Sequence, residues 1–186
     1  MEERVLFLKN AILGKKVGAV ASSSRYVIKA VLKNISGQTL NNVIEYGAGD
    51  GVLTRELLKH LAPKGRMLVV EMDNNFIDIL KKINDPRLII VSGKMQDISK
   101  NPEMYGIDHP DLVVSSVPFS LISKKERDEF VSSTHGSLTD SGKLVVFHQY
   151  SLLMSEPLRK YFKNVKSVFE PRNILPCFIM CAHKNI

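Results

Sequence analysis

Several residue types are scarce in this sequence, and each scarcity excludes a class of protein. The 186 residues include two cysteines and no tryptophan, which is too little cysteine for a small secreted scaffold held by disulfides. No apolar run approaches the roughly 20 residues that a membrane-spanning helix needs, and the first residues, MEERVLFLKNAILGKK, show no apolar run of signal length and no cleavage site. We therefore expect a single cytoplasmic domain over residues 1–186, with enough hydrophobic residues, 44%, for one core.

Acidic residues are outnumbered by basic ones, and the imbalance is uneven along the chain. Residues 1–40 carry seven basic and two acidic side chains, residues 41–142 carry twelve and fifteen, and residues 143–186 carry seven and two. The middle is mildly acidic and both ends are basic, as expected if the ends meet an anionic partner. Phospholipid head groups and nucleic acid both fit that description, and lysines that merely keep the protein soluble are the alternative.

From residue 41 onward, short β-branched runs alternate with helical patterns. This alternation predicts an α/β core over residues 41–186, with a largely parallel sheet between two layers of helices. The predicted strands are 42–46, 66–71, 87–92, 111–115 and 143–148, followed by an antiparallel pair at 165–170 and 177–183. Helices are predicted near 51–61, 74–83 and 123–138, with breaks at 63–65, 85–86 and 141–142.

The first 36 residues are predicted to form two helices outside this core. Residues 2–13 have an apolar face, and a serine run ending at Ser24 caps a second helix that continues to about Ile35. On that helix Arg25, Lys29 and Lys33 recur every four residues and form one basic ridge. Together with the apolar face of the first helix, this ridge is suited to reversible, salt-sensitive binding to an anionic membrane surface.

A glycine-rich turn lies between the first predicted strand and the helix after it. Its pattern is E-x-G-x-G-x-G, formed by Glu45, Gly47, Gly49 and Gly51. Glycines at such a turn let backbone amides approach a ligand that side chains would block. The spacing differs from the dinucleotide pattern G-x-G-x-x-G, and a second acid, Glu71, ends the next strand, where it can accept hydrogen bonds from both hydroxyls of a ribose. These features favour S-adenosylmethionine as the cofactor.

The rest of the cofactor pocket is predicted from the ends of the later strands. Met72 is placed to lie against the adenine, and Asp73 to cap the following helix. Residues 92–98 resemble the class I methyltransferase pattern in which an acid after a glycine binds the adenine amino group. Lys94 occupies that position here, so the contact falls to one of three neighbours: Met95, Gln96 or Asp97. Ser115, at the end of the fourth strand, completes the predicted pocket.

The fourth strand ends in a candidate acceptor motif, SSVPF, at residues 115–119. It resembles the N-x-P-Y or D-P-P-Y motif of amino-methylating enzymes, including the ribosomal RNA adenine dimethylases. In those enzymes the Asn or Asp oxygen holds the exocyclic amine for in-line attack, and the aromatic ring stacks on the base. Ser116 stands in place of that amide, and the resemblance implies that Pro118 and Phe119 line the acceptor site. Phe119 and Tyr46 are also candidates for a cation–π contact with the sulfonium or a methylated ammonium.

A second resemblance extends over nearly the whole chain. In order, the sequence contains FLKNAILGKKVGAVASSSRYV, the E-x-G-x-G-x-G turn, SSVPF, the strand end FHQYS and the segment RNILP. This order is similar to that of the small bacterial phospholipid N-methyltransferases, which methylate phosphatidylethanolamine, although Lys94 and Cys177 depart from their pattern. The resemblance implies a Rossmann-like fold with a seven-stranded sheet and an antiparallel last strand. It also implies N-methylation of phosphatidylethanolamine; an RNA adenine dimethylase or a small-molecule methyltransferase are the alternatives.

Candidate catalytic residues follow from the chemistry of an amine acceptor. The amine of phosphatidylethanolamine is protonated near neutral pH, so a base, or a site that favours the neutral amine, would assist transfer. The candidates are Tyr26, His148 and Tyr150. The resemblance implies that the segment around Tyr26 closes over the cofactor and contacts the head group, which makes Arg25 a candidate substrate contact. His148 and Tyr150 lie at the carboxyl end of the fifth strand, on the ligand side of an open α/β sheet.

The two cysteines are not expected to bind a metal. Cys177 and Cys181 lie in the apolar stretch CFIMCAH, where a strand points both to the same face. A site with His183 would lack a fourth ligand. We therefore expect ordinary buried thiols and no metal.

Overall fold

The computed structural model describes residues 24–35, 37–149, 151–173 and 176–185. The predicted helix at residues 2–13 and the candidate base Tyr150 lie outside these ranges. Within the described part of the chain, no helix is both long enough and apolar enough to cross a membrane.

The described residues form one seven-stranded sheet. Its strands are β1 (Leu40–Tyr46), β2 (Leu61–Glu71), β3 (Leu88–Ser92), β4 (Leu112–Ser115), β5 (Lys143–Gln149), β6 (Asn164–Glu170) and β7 (Cys177–His183). They lie in the order β3-β2-β1-β4-β5-β7-β6; β7 is antiparallel to both neighbours and the other pairs are parallel. The fold predicted from the sequence is confirmed. Because the strand order reverses between β1 and β4, their carboxyl ends border the crevice where open α/β sheets bind ligands.

Helices cover both faces of the sheet. They are α1 (Arg25–Lys33), α2 (Val52–Leu58), α3 (Asn74–Leu80), α4 (Met95–Ile98), α5 (Lys124–Ser137) and α6 (Ser155–Tyr161). The first three pack on one face of the sheet and the last three on the other, and each face has its own hydrophobic core. Val43 belongs to one core and Ile44 to the other, because successive side chains of a strand point to opposite faces.

β2 is longer than the sequence predicts. Leu40 pairs with Leu61 and Asn42 with Arg66, so the register shifts within the β1–β2 ladder. Residues 63–65 form the irregular part of β2, and the predicted break there is wrong. Pro63 has no N–H to pair with a neighbouring strand, and a bulge accommodates it without ending the strand.

Polar contacts attach α1 to the sheet and to the loop after β6. Ser24 caps the helix, as predicted, and its backbone N–H donates to Oδ1 of Asn173 (3.2 Å). At the other end, the buried Lys143 of β5 donates from Nζ to the carbonyl oxygen of Asn34 (2.6 Å). The helix ends at Lys33, two residues before the predicted end. Both ends of α1 are therefore attached to residues of the carboxyl-terminal part of the chain, in β5 and after β6.

Candidate active site

The glycine-rich turn runs from the carboxyl end of β1 into α2. Gly47, Gly49 and Gly51 have φ angles of 78°, 55° and 74°, a region that residues with side chains rarely adopt. A Cβ atom on Gly51 would lie 2.8 Å from Cδ2 of Leu80, whereas one on Gly49 would meet nothing within 4 Å. The backbone of the turn therefore requires glycine, and the described residues leave open space beside Gly49.

Glu71, at the end of β2, is bonded to this turn. One carboxylate oxygen accepts from the N–H of Gly49 (2.9 Å), and the other accepts from the N–H groups of Met72 (2.8 Å) and Asp73 (3.1 Å). These charge-assisted bonds fix the carboxylate beside the turn. A carboxylate offers about four acceptor positions, so Glu71 can still accept from a ribose hydroxyl.

Glu45 is buried at the end of β1, and the hydroxyl of Thr54 on α2 donates to its carboxylate (2.6 Å). Burial raises the pKa of Glu45 to about 7, with smaller contributions from the charges of Glu71 and Asp50. The hydrogen bond from Thr54 acts in the opposite direction. The sequence predicts a cofactor contact for Glu45. In the structure its carboxylate joins β1 to α2, so it supports the turn from within the protein.

The predicted adenine contacts differ in exposure. Met72 is 62% exposed directly after Glu71, which leaves its side chain open to a flat ligand. Met95 and Ser115 are buried together, with the serine hydroxyl 3.7 Å from the methionine sulfur. Gln96 is half-buried and donates to Glu126 of α5 (3.3 Å). The short helix α4 turns Met95 into the core, so a ligand contact there falls to its backbone.

The motif after β4 contacts the glycine-rich turn directly. The hydroxyl of Ser116 donates to the carbonyl oxygen of Gly47 (2.5 Å). Pro118 is exposed. Phe119 is 0% exposed, with its ring centroid 5.9 Å from that of Phe130. The predicted role of Phe119 as a stacking surface is therefore corrected: its ring is part of the core.

Tyr46 is also buried, which corrects its predicted cation–π role. Its ring lies edge-on to Phe130, with 5.6 Å between the centroids. Both aromatic residues follow or end an apolar strand, and a sequence pattern does not distinguish an inward from an outward ring at that point.

Arg127 of α5 is a site residue that sequence reasoning missed. Its Nη1 donates to the carbonyl oxygens of Phe119 (3.0 Å) and Ile122 (2.6 Å). It thereby fixes the loop that carries the acceptor motif. An arginine in a polar helix gives no sequence signal for such a contact, because its partners are backbone atoms.

His148 lies near the end of β5 with its ring 6.1 Å from that of Phe119. It is 9% exposed, and its Nδ1 atom has no hydrogen-bond partner among the described residues. Burial lowers the pKa of His148 below its ordinary value, and the charge of Arg127 lowers it further. The imidazole is therefore neutral at pH 7 and carries a nitrogen whose hydrogen bonding is unsatisfied within the described structure.

Tyr26 lies between two arginines. Nη2 of Arg25 donates to the Tyr26 hydroxyl (2.9 Å), and the Cζ atoms of Arg25 and Arg172 lie 4.9 Å and 4.3 Å from the ring centroid. Arg172 also forms an ion pair with Glu170 (2.7 Å), which lowers the pKa of that carboxyl to about 2. Sequence reasoning found Arg25 and Tyr26 but assigned no role to Arg172, because its contact to Tyr26 spans most of the chain.

The cysteines are buried in the core beside α1 and α2, as predicted. Burial raises the pKa of Cys177 and Cys181 to about 11. His183 lies 3.6 Å from the sulfur of Cys181. Among the residues described, no three His, Cys, Asp or Glu side chains are grouped so that they could hold a metal ion.

The strand order, the glycine-rich turn and the acid at the end of β2 define a class I S-adenosylmethionine-dependent methyltransferase. The residues present fit this cofactor, since the space beside Gly49 admits a ligand next to the Glu71 carboxylate. The chain belongs to the ribosomal RNA adenine dimethylase family, whose model matches residues 18–140.

Individual relatives include lipid and RNA methyltransferases. An ornithine lipid N-methyltransferase from Singulisphaera acidiphila is 27% identical over 88% of this chain and 86% of the relative. A ribosomal RNA small subunit methyltransferase A from Blochmanniella pennsylvanica is 28% identical over 50% of this chain and 37% of the relative.

Solved structures share the fold. The crystal structure of the N-methyltransferase NodS from Bradyrhizobium japonicum WM9 is 14% identical and matches with a TM-score of 0.71, over 86% of this chain and 94% of that one. A second NodS structure, in complex with S-adenosyl-L-homocysteine, matches with a TM-score of 0.68 at 13% identity, over 86% of this chain and 88% of that one. The predicted class, fold and cofactor are confirmed.

Proposed function

We propose that this methyltransferase acts on the amine of a membrane lipid head group, with phosphatidylethanolamine as the acceptor. The observation that carries the proposal is the buried Nδ1 of His148, which has no hydrogen-bond partner among the described residues and lies near the carboxyl end of β5. S-adenosylmethionine, when bound, supplies an electrophilic methyl group. The protein must therefore present an uncharged acceptor nitrogen in line with that methyl group and exclude water.

An aliphatic amine is protonated near neutral pH, since its pKa resembles that of lysine, about 10. It has to lose a proton before its nitrogen can attack. A neutral imidazole accepts that proton, and the lowered pKa of His148 keeps the ring neutral at pH 7. His148 is thus the proposed proton acceptor, and the loop fixed by Arg127 holds the amine beside it.

The contacts of the acceptor motif favour an aliphatic amine over a nucleobase. A flipped base requires a stacking surface and a hydrogen-bond acceptor for its amino group. Phe119 is buried, and the Ser116 hydroxyl is bonded to Gly47. Neither side chain is placed for that task.

A lipid acceptor is supported by two further observations. The relative from Singulisphaera acidiphila, which is matched over most of its length, is an ornithine lipid N-methyltransferase. The ridge formed by Arg25, Lys29 and Lys33 is exposed along α1, and exposed cations on one helix face bind anionic bilayers. We propose reversible attachment of the protein to the membrane through this ridge.

RNA adenine methylation is the second candidate, because the matching family model is that of the ribosomal RNA adenine dimethylases. The basic ridge would then contact phosphates. The two candidates differ in their need for a base, since the exocyclic amine of adenine is already uncharged at neutral pH and needs no deprotonation before attack.

The test uses vesicles of phosphatidylglycerol with or without phosphatidylethanolamine, incubated with labelled S-adenosylmethionine and analysed by mass spectrometry. We expect methylated phosphatidylethanolamine from the wild type. The variant His148→Gln should lower kcat on the order of a hundredfold, the usual contribution of a positioned base. Its residual rate should rise with pH as the amine loses its own proton.

His60→Gln is the matched control, since His60 is exposed after α2. For the wild type, the rate should fall at acidic pH as His148 becomes protonated, and because its pKa is lowered by burial and by the charge of Arg127, this fall should lie below pH 6.5, the ordinary imidazole pKa. If the wild type methylates no phosphatidylethanolamine, the proposed acceptor is refuted. Full activity of His148→Gln would refute the proposed role of the histidine.

A further inference from the structure

The group of side chains around Tyr26 has hydrogen-bond donors that lack an acceptor within the described part of the chain. The Tyr26 hydroxyl accepts from Arg25 and donates to no described residue, so its proton remains to be donated within this part of the structure. Nη1 of Arg172 makes no hydrogen bond to any described residue, while Nε and Nη2 are bonded to Glu170. Arg25 is exposed, and its guanidinium forms a hydrogen bond and a ring contact with Tyr26.

The charge of this group is positive. Glu170 is 4% exposed and neutralises one guanidinium, while the Arg172 side chain remains 62% exposed. The first turn of α1, where Arg25 and Tyr26 lie, has no acidic residue, and a helix amino terminus favours anions. The guanidinium groups of Arg25 and Arg172 both lie against the Tyr26 ring, next to the phenol proton. Together these donors are suited to bind an oxyanion.

The group lies at the same edge of the sheet as the proposed acceptor site. Cys177 pairs with Gln149 on one side and with Glu170 on the other. Glu170 is therefore two strands from the residue after His148, roughly 10 Å at the usual strand spacing. The backbone N–H of Ser24 donates to Asn173 and keeps the start of α1 at this edge.

We propose that Arg25, Tyr26 and Arg172 form a binding site for the oxyanion of a zwitterionic lipid head group. Resting on the proposed function, this assigns the amine to the region of His148 and the anion to the loop between β6 and β7. The anion is the phosphodiester of phosphatidylethanolamine or the carboxylate of an amino-acid lipid, which share this chemistry. Tyr26 then acts as a hydrogen-bond donor to substrate, and His148 alone accepts the proton.

The test measures binding by calorimetry in the presence of S-adenosylhomocysteine. Three soluble probes separate the sources: glycerophosphoethanolamine has the phosphodiester, a short-chain N-acylornithine has the carboxylate, and ethanolamine has the amine without an anion. For Arg25→Gln and Tyr26→Phe we expect affinity for one or both anionic probes to fall about tenfold, since charge-assisted bonds are lost. Affinity for ethanolamine and for S-adenosylhomocysteine should not change.

Arg172→Gln alone would leave the buried Glu170 without its partner, so Arg172 is tested in the double variant Glu170→Gln/Arg172→Gln. Lys163→Gln, which removes an exposed positive charge just before the amino end of β6, is the matched control and should bind like the wild type. In methylation assays, Tyr26→Phe should raise KM about tenfold and change kcat less than about twofold, as expected for lost uniform binding.

Three results would overturn the site: an equal loss of affinity for ethanolamine in the variants, no loss of affinity for either anionic probe, or a wild type that binds neither anionic probe. A fall in kcat for Tyr26→Phe at constant KM would overturn it as well, because Tyr26 would then act on the proton. Binding that depends on these residues without any lipid methylation would instead refute the proposed function and leave the anion site standing.

Discussion

At the scale of single residues, three acids surround the cofactor turn and have different tasks. Glu71 accepts from the backbone N–H of Gly49 in the turn and from that of Met72 after β2, and its ribose contact is a prediction from the sequence. Glu45 is buried behind the turn, and Asp50 accepts from the N–H of Val52 at the start of α2 (3.3 Å). The sequence singles out Glu45 in the glycine-rich pattern and Glu71 at the end of the next strand. Their separate roles depend on burial, which the motif does not encode.

Replacing Glu71 by Gln should weaken binding of S-adenosylhomocysteine about tenfold or more, because the amide loses both a charge and one acceptor oxygen. Calorimetric titration measures the affinity. Asp78→Asn, on the exposed side of α3, should have no effect. Unchanged affinity of the Glu71 variant would mean that the ribose contact is misplaced.

Glu45→Gln should change how stability depends on pH. The pKa of Glu45 is raised from 4.5 to about 7 by burial, so the fold favours the neutral carboxyl. This stabilising contribution is full below pH 4.5 and is lost as the pH rises through about 7. The variant stays neutral and should gain stability relative to the wild type above pH 7, on the order of 3 kcal/mol at most.

Urea denaturation at pH 5 and pH 8 measures this difference. Glu56→Gln, on the more open side of α2, serves as the control. A difference between Glu45→Gln and the wild type that is the same at both pH values would contradict the burial argument.

At the scale of helices and strands, two glycines differ in whether the structure needs a glycine at that position. Gly51 has a φ of 74°, and a Cβ atom there would lie 2.8 Å from Leu80. Gly136 lies inside α5, and a Cβ atom added there would meet nothing within 4 Å. Gly51→Ala should therefore destabilise the protein by about 1–3 kcal/mol, and Gly136→Ala should stabilise it by up to about 1 kcal/mol. Urea denaturation of both variants checks the signs, and a stable Gly51→Ala would show that the turn tolerates a side chain.

Most strands and the long helix α5 were predictable because their patterns are local. Their β-branched runs and the cap at Ser123 are visible in the sequence. The short helices α4 and α6 were not predicted: four and seven residues are too few to show helical periodicity, and Pro157, which lies in the first turn of α6, gives no helix signal in the sequence. The extension of β2 depends on pairing with Leu40, which is a tertiary contact.

The candidate site was predictable to the extent that it consists of motifs. The glycine turn and Glu71 have fixed spacing, and the structure brings them together. Arg127 and Arg172 were missed because they bind partners supplied by folding: carbonyl oxygens in one case, and Tyr26 and Glu170 in the other. Such contacts leave no pattern in a single sequence.

At the scale of the whole molecule, the basic ends of the sequence are not one surface. Lys143 is buried and bonded to α1, and Lys160 forms an ion pair with Asp128. Arg25 and Arg172, from opposite ends of the chain, meet at Tyr26. The excess positive charge is thus partly used inside the fold and partly gathered around Tyr26, at the proposed binding site for the oxyanion of the head group.

The central claim is that the acceptor is a lipid amine. The most direct measurement is a competition in which limiting labelled S-adenosylmethionine is offered to the protein with total bacterial lipid and total RNA in one reaction, followed by phase separation. The proposal predicts label in the phosphatidylethanolamine-derived fraction, strongly reduced in His148→Gln. Label confined to RNA would contradict it.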